Sequence, residues 1–424
     1  MNNDNQRART NYVLTTAIML LGLMILYVHQ MSPAPVMGAL AEEFGVSNDA
    51  LLNLSISITY PMTIIFSMLG PAIEKKTGTR NMFTLSMLVG VAGLLLNFVM
   101  TSYTVFLIGR ALYGISFGLC MPFFGNAIAK WYKDKQKEEL NTINGLYPFL
   151  GTIMCYAVMF PLYKLFSNSN KGAFGIWGVA LLVLCVIWLF LKEPEVLSEE
   201  DENSDGGLAV FPDLIRRRTI RLLCYTFVCD FTCYSFIAAQ LPTYLFELSG
   251  GSFSESAAGL IAAFVFPGVG IIGGTLGGVY MTKTGLRKPP MLMGQILKFI
   301  GFILAGIGAN MSIVVVLIGV AIFGIGNSLW VPAMYTVPLD LEGMTPAHVG
   351  GAFSLITSSG FLVGSIGTVV FGAVTTMLMA HAGTADPVAS HIFGLKNCFL
   401  ILSLLSALAT LFIAMIKESG TRRN

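Results

Sequence analysis

Leu107-Ile108-Gly109-Arg110-Ala111-Leu112-Tyr113-Gly114-Ile115 and Leu317-Ile318-Gly319-Val320-Ala321-Ile322-Phe323-Gly324-Ile325 are one phrase written twice, 210 residues apart. Pro122 and Pro332 follow the two copies at the same interval. A second pair, Lys76-Thr77-Gly78-Thr79-Arg80 and Lys283-Thr284-Gly285-Leu286-Arg287, stands 207 residues apart. Two matches at nearly one interval imply a duplicated chain whose halves share one origin and one orientation.

Each copy of the phrase lies in an apolar run long enough to cross a bilayer, which takes about 20 residues. Reading outward gives twelve such runs. Six fall near 12–38, 50–73, 82–101, 103–129, 141–163 and 173–191. Six more fall near 219–246, 256–281, 290–309, 311–338, 348–379 and 391–416. Composition agrees. Only 11% of the 424 residues are charged and 55% are apolar, whereas a soluble domain is about a quarter charged. Lipid is therefore the expected solvent.

Several classes drop out. A net charge of +2, without a basic stripe interleaved with aromatics, gives no nucleic-acid partner. The first eleven residues are polar and the next run is too long for the core of a cleavable export signal. Cys120, Cys155, Cys185, Cys224, Cys229, Cys233 and Cys398 sit in apolar runs at no metal-ligand spacing, so they read as reduced small hydrophobes. No His-Glu-x-x-His, Ser-His-Asp set or nucleotide loop is present, so neither an enzyme, a metal nor a cofactor is expected.

Orientation follows from the basic residues. With the N-terminus inside, the cytoplasmic segments hold 20 of the 25 Lys and Arg, and both termini are cytoplasmic. Between the sixth and seventh runs, Glu193 to Asp213 carry eight acids before Arg216-Arg217-Arg218. A stretch this polar reads as a flexible linker. The expected organisation is a six-helix bundle over 1–192, a cytoplasmic linker over 193–215 and a second bundle over 216–424.

The charged turn after the second and eighth runs resembles a signature of the major facilitator superfamily. Gly278, Lys283, Gly285 and Arg287 fall in register, with Thr282 where the acid belongs; Pro71, Lys76, Gly78 and Arg80 fit in the first half. There Lys75 takes the acid position and Glu74 lies one residue early. Arg110, Gly114 and Gly118 match the family's Arg-x3-Gly-x3-Gly pattern. The resemblance implies an all-α membrane protein with twelve transmembrane helices in two pseudo-symmetric six-helix bundles. It also implies a central cavity lined mainly by helices 1, 4, 7 and 10 that opens alternately to each side. Glu74, Lys76, Arg80, Lys283 and Arg287 would then gate the inner side.

Ionisable groups at bilayer depth are functional candidates by default. Arg110 sits about eight residues, roughly 12 Å, inside its helix. Two roles fit it: a hydrogen-bond hub to neighbouring carbonyls, or an anchor for an anionic solute. Asp230 lies about nine residues, roughly 14 Å, beyond Arg221. Desolvation favours the uncharged carboxyl there, which suits proton coupling; the alternative is a fixed ion pair with Lys298. Lys298 itself is read as snorkelling to the inner headgroups. His29 is a second proton-coupling candidate. Tyr234 lies one turn after Asp230, and the repeat interval places Tyr27, with Gln30 beyond it, at the matching point of the first helix. Asn327 and Trp330 on the tenth run and Tyr147 on the fifth complete the solute-contact candidates, with Asn144, Thr357 and Ser358 as further hydrogen-bonding groups. The eleventh-helix glycines suggest close packing.

The fifth run lacks the Gly-Pro and paired glycines of many exchangers, and Ala129-Lys130-Trp131-Tyr132 is similar to a segment in branches carrying organic acids and small anions. The favoured reading is proton-coupled uptake of a small organic anion across the cell (inner) membrane. Efflux by proton antiport, for which Phe264 and Phe266 offer apolar walls, and passive facilitation stay open. The two halves supply both sides of a cavity, so a monomer suffices.

Overall fold

The computed structural model describes residues 3–132, 134–194 and 210–420. Among them the chain is helical, with twelve helices long and apolar enough to span a membrane. The first six are α1 (Tyr12–Gln30), α2 (Asp49–Thr77), α3 (Thr79–Val99), α4 (Tyr103–Ile128), α5 (Tyr147–Leu165) and α6 (Asn170–Phe190). The second six are α7 (Arg218–Leu248), α8 (Glu255–Thr284), α9 (Lys288–Gly308), α10 (Ile313–Asp340), α11 (His348–Met379) and α12 (Pro387–Ala414). The chain divides into two compact units, Met1–Gly45 with Leu54–Glu202 and Val46–Asn53 with Asn203–Asn424. The start of α2 groups with the second unit.

The duplication is visible in how the helices begin and cross. Ser102 and Ser312, 210 residues apart, both cap their helices by accepting the backbone N–H of Val105 and Val315. Each cap satisfies a donor left over at a helix start. In the first unit α3 meets α4 where a Cβ on Gly93 would lie 2.8 Å from the Gly109 carbonyl oxygen. In the second, α9 meets α10 where a Cβ on Gly301 would lie 2.6 Å from the Gly319 carbonyl oxygen. Only a hydrogen fits at either crossing. Between helices in lipid such close backbone approach supplies the packing attraction that burial supplies in water.

Irregular turns mark where the sequence forbids a straight helix. The first run was expected to continue to residue 38, but α1 stops at Gln30. Pro33 and Pro35 each lack an N–H, so the regular ladder cannot continue, and the chain passes through a tight turn, Ala34–Val36, into a short helix, Met37–Phe44. A widened turn at Phe264–Gly268 accommodates Pro267 in α8. The regular part of α10 ends at Leu329, just before Trp330 and Pro332. Of the expected linker, residues 195–209 lie outside the described residues. Phe211–Arg216, expected to be flexible, is a short helix whose Leu214 packs with Ile220 and Ala352.

Candidate functional site

In the first unit the site is built on the blunt end of α1. A helix that stops leaves its last carbonyls without intrahelical partners. Arg110, fully buried on α4, takes them: Nη1 donates to the His29 carbonyl at 2.6 Å and Nη2 to the Gln30 carbonyl at 2.7 Å. Nε donates to the Ser55 carbonyl at 2.7 Å, just before α2 is interrupted at Ile58, and Nη1 also reaches Ser32 Oγ at 3.3 Å. The guanidinium lies over the Tyr113 ring. A cation at the negative end of a helix is favourable there, and five donors in a fork suit several carbonyls at once. These are the contacts of a hydrogen-bond hub, and the side chain is fully buried.

The neighbours are held in the same way. Gln30 donates through Nε2 to Thr59 Oγ1 at 2.8 Å and accepts from Tyr113 Oη at 2.8 Å. His29 is buried between the rings of Tyr113 and Phe174, with Nδ1 3.3 Å from Ser32 Oγ and Nε2 without a partner. Tyr27 packs edge-on to Phe117 and beside Tyr147, whose hydroxyl donates to the Leu20 carbonyl. Tyr27 is half-buried and Tyr147 buried. The Asn144 side chain lies outside the described residues.

The second unit places its charges elsewhere. Asp230 on α7 and Lys298 on α9 form an ion pair, with the Lys298 side chain 0% and the Asp230 side chain 7% exposed. Among the described residues it is the one ion pair with both side chains less than a tenth exposed. The snorkelling expected of Lys298 is thus overturned. Depth along the axis permitted it, but the close crossing of α9 and α10 turns Lys298 into the bundle. There its ammonium also lies 5.3 Å from the centre of the Phe323 ring. Gln295, one turn before Lys298, donates Nε2 to Asp230 Oδ1 at 3.0 Å. Trp330 is buried beside the same carboxyl, its N–H outside hydrogen-bonding geometry. Asn327 is buried with its carbonyl oxygen unpartnered, and Tyr234 is half-buried against Phe231 and Phe266. Gln295 was missed in the sequence. Its signal was the three-residue spacing to Lys298, which puts both on one helix face. Thr357 turns its hydroxyl to its own helix at the Phe353 carbonyl.

The charged turns at the ends of α2 and α8 also differ. Glu74 is buried and accepts from Lys130 Nζ at 2.9 Å, Thr79 Oγ1 at 2.6 Å and Asn126 Nδ2. Although one residue out of register, it joins the end of α2 to α4. Arg80 donates to the carbonyls of Leu189 and Leu191. Arg287 pairs with Asp340 at 2.9 Å, and Asp340 also accepts from Ser419. Lys76 and Lys283 are exposed and make no ion pair among the described residues.

Comparison with known proteins agrees with this architecture. A bacterial homologue of the human lysosomal transporter Spinster, in an inward-facing and unoccupied conformation, superposes with a TM-score of 0.77 at 15% identity, covering 95% of each chain. A D-xylose–proton symporter gives 0.76 at 17% identity, covering 96% of this chain and 98% of that one. The nucleoside transporter NupG gives 0.69 at 16%, covering 94% and 99%. At such identities these likenesses concern the fold alone. No curated protein sequence matches. The family profile described as Major Facilitator Superfamily matches residues 19–368, most of the chain. On that match and the twelve-helix fold, the chain belongs to the Major Facilitator Superfamily of membrane transporters.

Proposed function

We propose that this protein is a secondary active transporter that takes up a small organic anion together with a proton, and that the Asp230–Lys298 pair couples the two. The observation that carries this is the buried ion pair in the second unit. Two charges taken out of water attract each other, but each is costly once alone. A proton arriving at Asp230 neutralises it and leaves Lys298 as an uncompensated cation. A solute carboxylate restores the balance. Loss of the proton re-forms the pair and displaces the solute. The site is thus neutral when empty and neutral again with proton and anion both bound, which favours symport over efflux of a cation, since Lys298 repels cations.

Arg110 has no part in solute binding on this reading, because its donors already hold α1 and α2. Gln30 positions Tyr113 and Thr59. Solute contacts in the second unit fall to Tyr234, Asn327 and Trp330; in the first unit, Tyr27 and Tyr147 pack beside each other. His29, wedged between two rings, acts in packing. Glu74, Lys76, Arg80, Lys283 and Arg287 keep the gating role, with Lys130 and Asp340 added as partners. The protein would work as a monomer in the cell (inner) membrane; the distribution of Lys and Arg supports cytoplasmic termini.

The test uses protein reconstituted in liposomes with a trapped pH dye and a panel of small organic anions. An anion that acidifies the lumen is a substrate taken up with a proton. With that anion, Asp230→Asn should abolish accumulation driven by a pH gradient while counterflow exchange persists. Equal loss of both activities would make Asp230 purely structural.

A further inference from the structure

Beside the ion pair lie polar atoms that neither charge uses. Gln295 must present its N–H to the Asp230 carboxylate, which only accepts, so its buried Oε1 is the atom turned elsewhere, without a partner. On α10, Phe323, Asn327 and Trp330 follow at the i, i+4 and i+7 positions of one stripe. Phe323 meets Lys298, Trp330 adjoins Asp230, and Asn327 between them keeps an unpartnered buried carbonyl. The Trp330 indole N–H lies beside the Asp230 carboxyl, outside ideal hydrogen-bonding geometry.

We infer that the solute is a hydroxylated carboxylate, and that Gln295 and Asn327 are the residues that select its hydroxyl groups. The inference rests on the anion reading above and narrows it. A carboxylate answers Lys298 but brings no donor for the buried amide oxygens of Gln295 and Asn327, and the single proton on Asp230 serves at most one of them. A hydroxyl both donates and accepts, so it also matches the Asn327 amide whichever way that amide is turned. Neighbouring positions on a helix face are about 5–6 Å apart, which places the hydroxyl a few carbons from the carboxylate. An alkanoate of equal length leaves buried acceptors unpaired, and a site built to bind a hydroxyl discriminates strongly against the analogue that lacks it.

The experiment is a melting-temperature titration of the full chain in detergent with three six-carbon probes: gluconate, hexanoate and glucitol. Ligands that bind the folded state raise the melting temperature according to their affinity. Gluconate should stabilise at concentrations lower than hexanoate by on the order of tenfold or more. In Asn327→Ala, a side chain with no partner for its carbonyl oxygen, that ratio should fall towards one. Hexanoate binding as well as gluconate would overturn the selection of hydroxyls and leave the anion site standing. Glucitol binding as well as gluconate would show that the carboxylate is not read, and the anion reading itself would fall. No shift with any of the three would overturn both.

Discussion

Arg110 in the first unit and the Asp230–Lys298 pair in the second treat buried charge in opposite ways. The duplicated phrase aligns Arg110 with Val320, and both side chains are fully buried. By the same repeat, Lys298 corresponds to Gly90 when Gly301 is set on Gly93, and Asp230 to Leu23 when Tyr234 is set on Tyr27. Each half therefore carries its charge where the other is apolar or bare. Arg110 is a lone cation satisfied by fixed backbone oxygens, which neither titrate nor leave. Lys298 is satisfied by a carboxylate, which can be protonated, beside groups with unfilled hydrogen-bonding capacity. A charge held by backbone belongs to the scaffold, whereas a charge held by another ionisable side chain can exchange its partner.

The largest effect should separate stability from coupling in the second unit. Lys298→Met alone leaves Asp230 uncompensated and should cost about 3–5 kcal/mol. The double substitution Asp230→Asn with Lys298→Met should recover most of that stability while accumulation stays absent. Chemical or thermal unfolding in detergent, read beside pH-driven uptake, measures both. If the double variant remained as unstable as the single one, the pair would not be an electrostatic unit.

In the first unit the two properties should move together. Arg110→Ala removes the donors that hold two helices and should cost about 3 kcal/mol. Arg110→Lys keeps the charge but loses the fork, and should lower the melting temperature while the apparent substrate constant changes less than about threefold. A large rise in that constant, with stability unchanged, would mean that Arg110 touches the solute and would erase the contrast between the halves.

The smallest effects belong to the charged turns. Arg287–Asp340 is partly exposed, so Asp340→Asn should change stability by about 1 kcal/mol or less. Glu74 is buried with three donors on it, so Glu74→Gln should cost more, about 1–3 kcal/mol. Unfolding measurements on both variants check the order, and a reversal would show that position in the repeat outweighs burial.

The sequence by itself determined the architecture. Lipid requires each crossing to be long and apolar, so twelve spans stand out without knowledge of any contact. The duplication is legible because small residues and helix caps, such as Gly93 with Gly301 and Ser102 with Ser312, recur where backbones cross or begin. Position along each helix was legible too, setting Arg110 and Asp230 well inside their runs and leaving Lys298 read as reaching for the headgroups. Only the tertiary structure decided which charge meets which partner. Depth is a coordinate along the helix, whereas pairing depends on rotation about it and on how closely its neighbour approaches. Lys298 could have climbed to the surface. The glycine contacts between α9 and α10 turn it onto Asp230 and Phe323 instead. For Arg110, what the tertiary structure adds is that α1 ends beside it, so that its guanidinium donates to the last carbonyls of that helix.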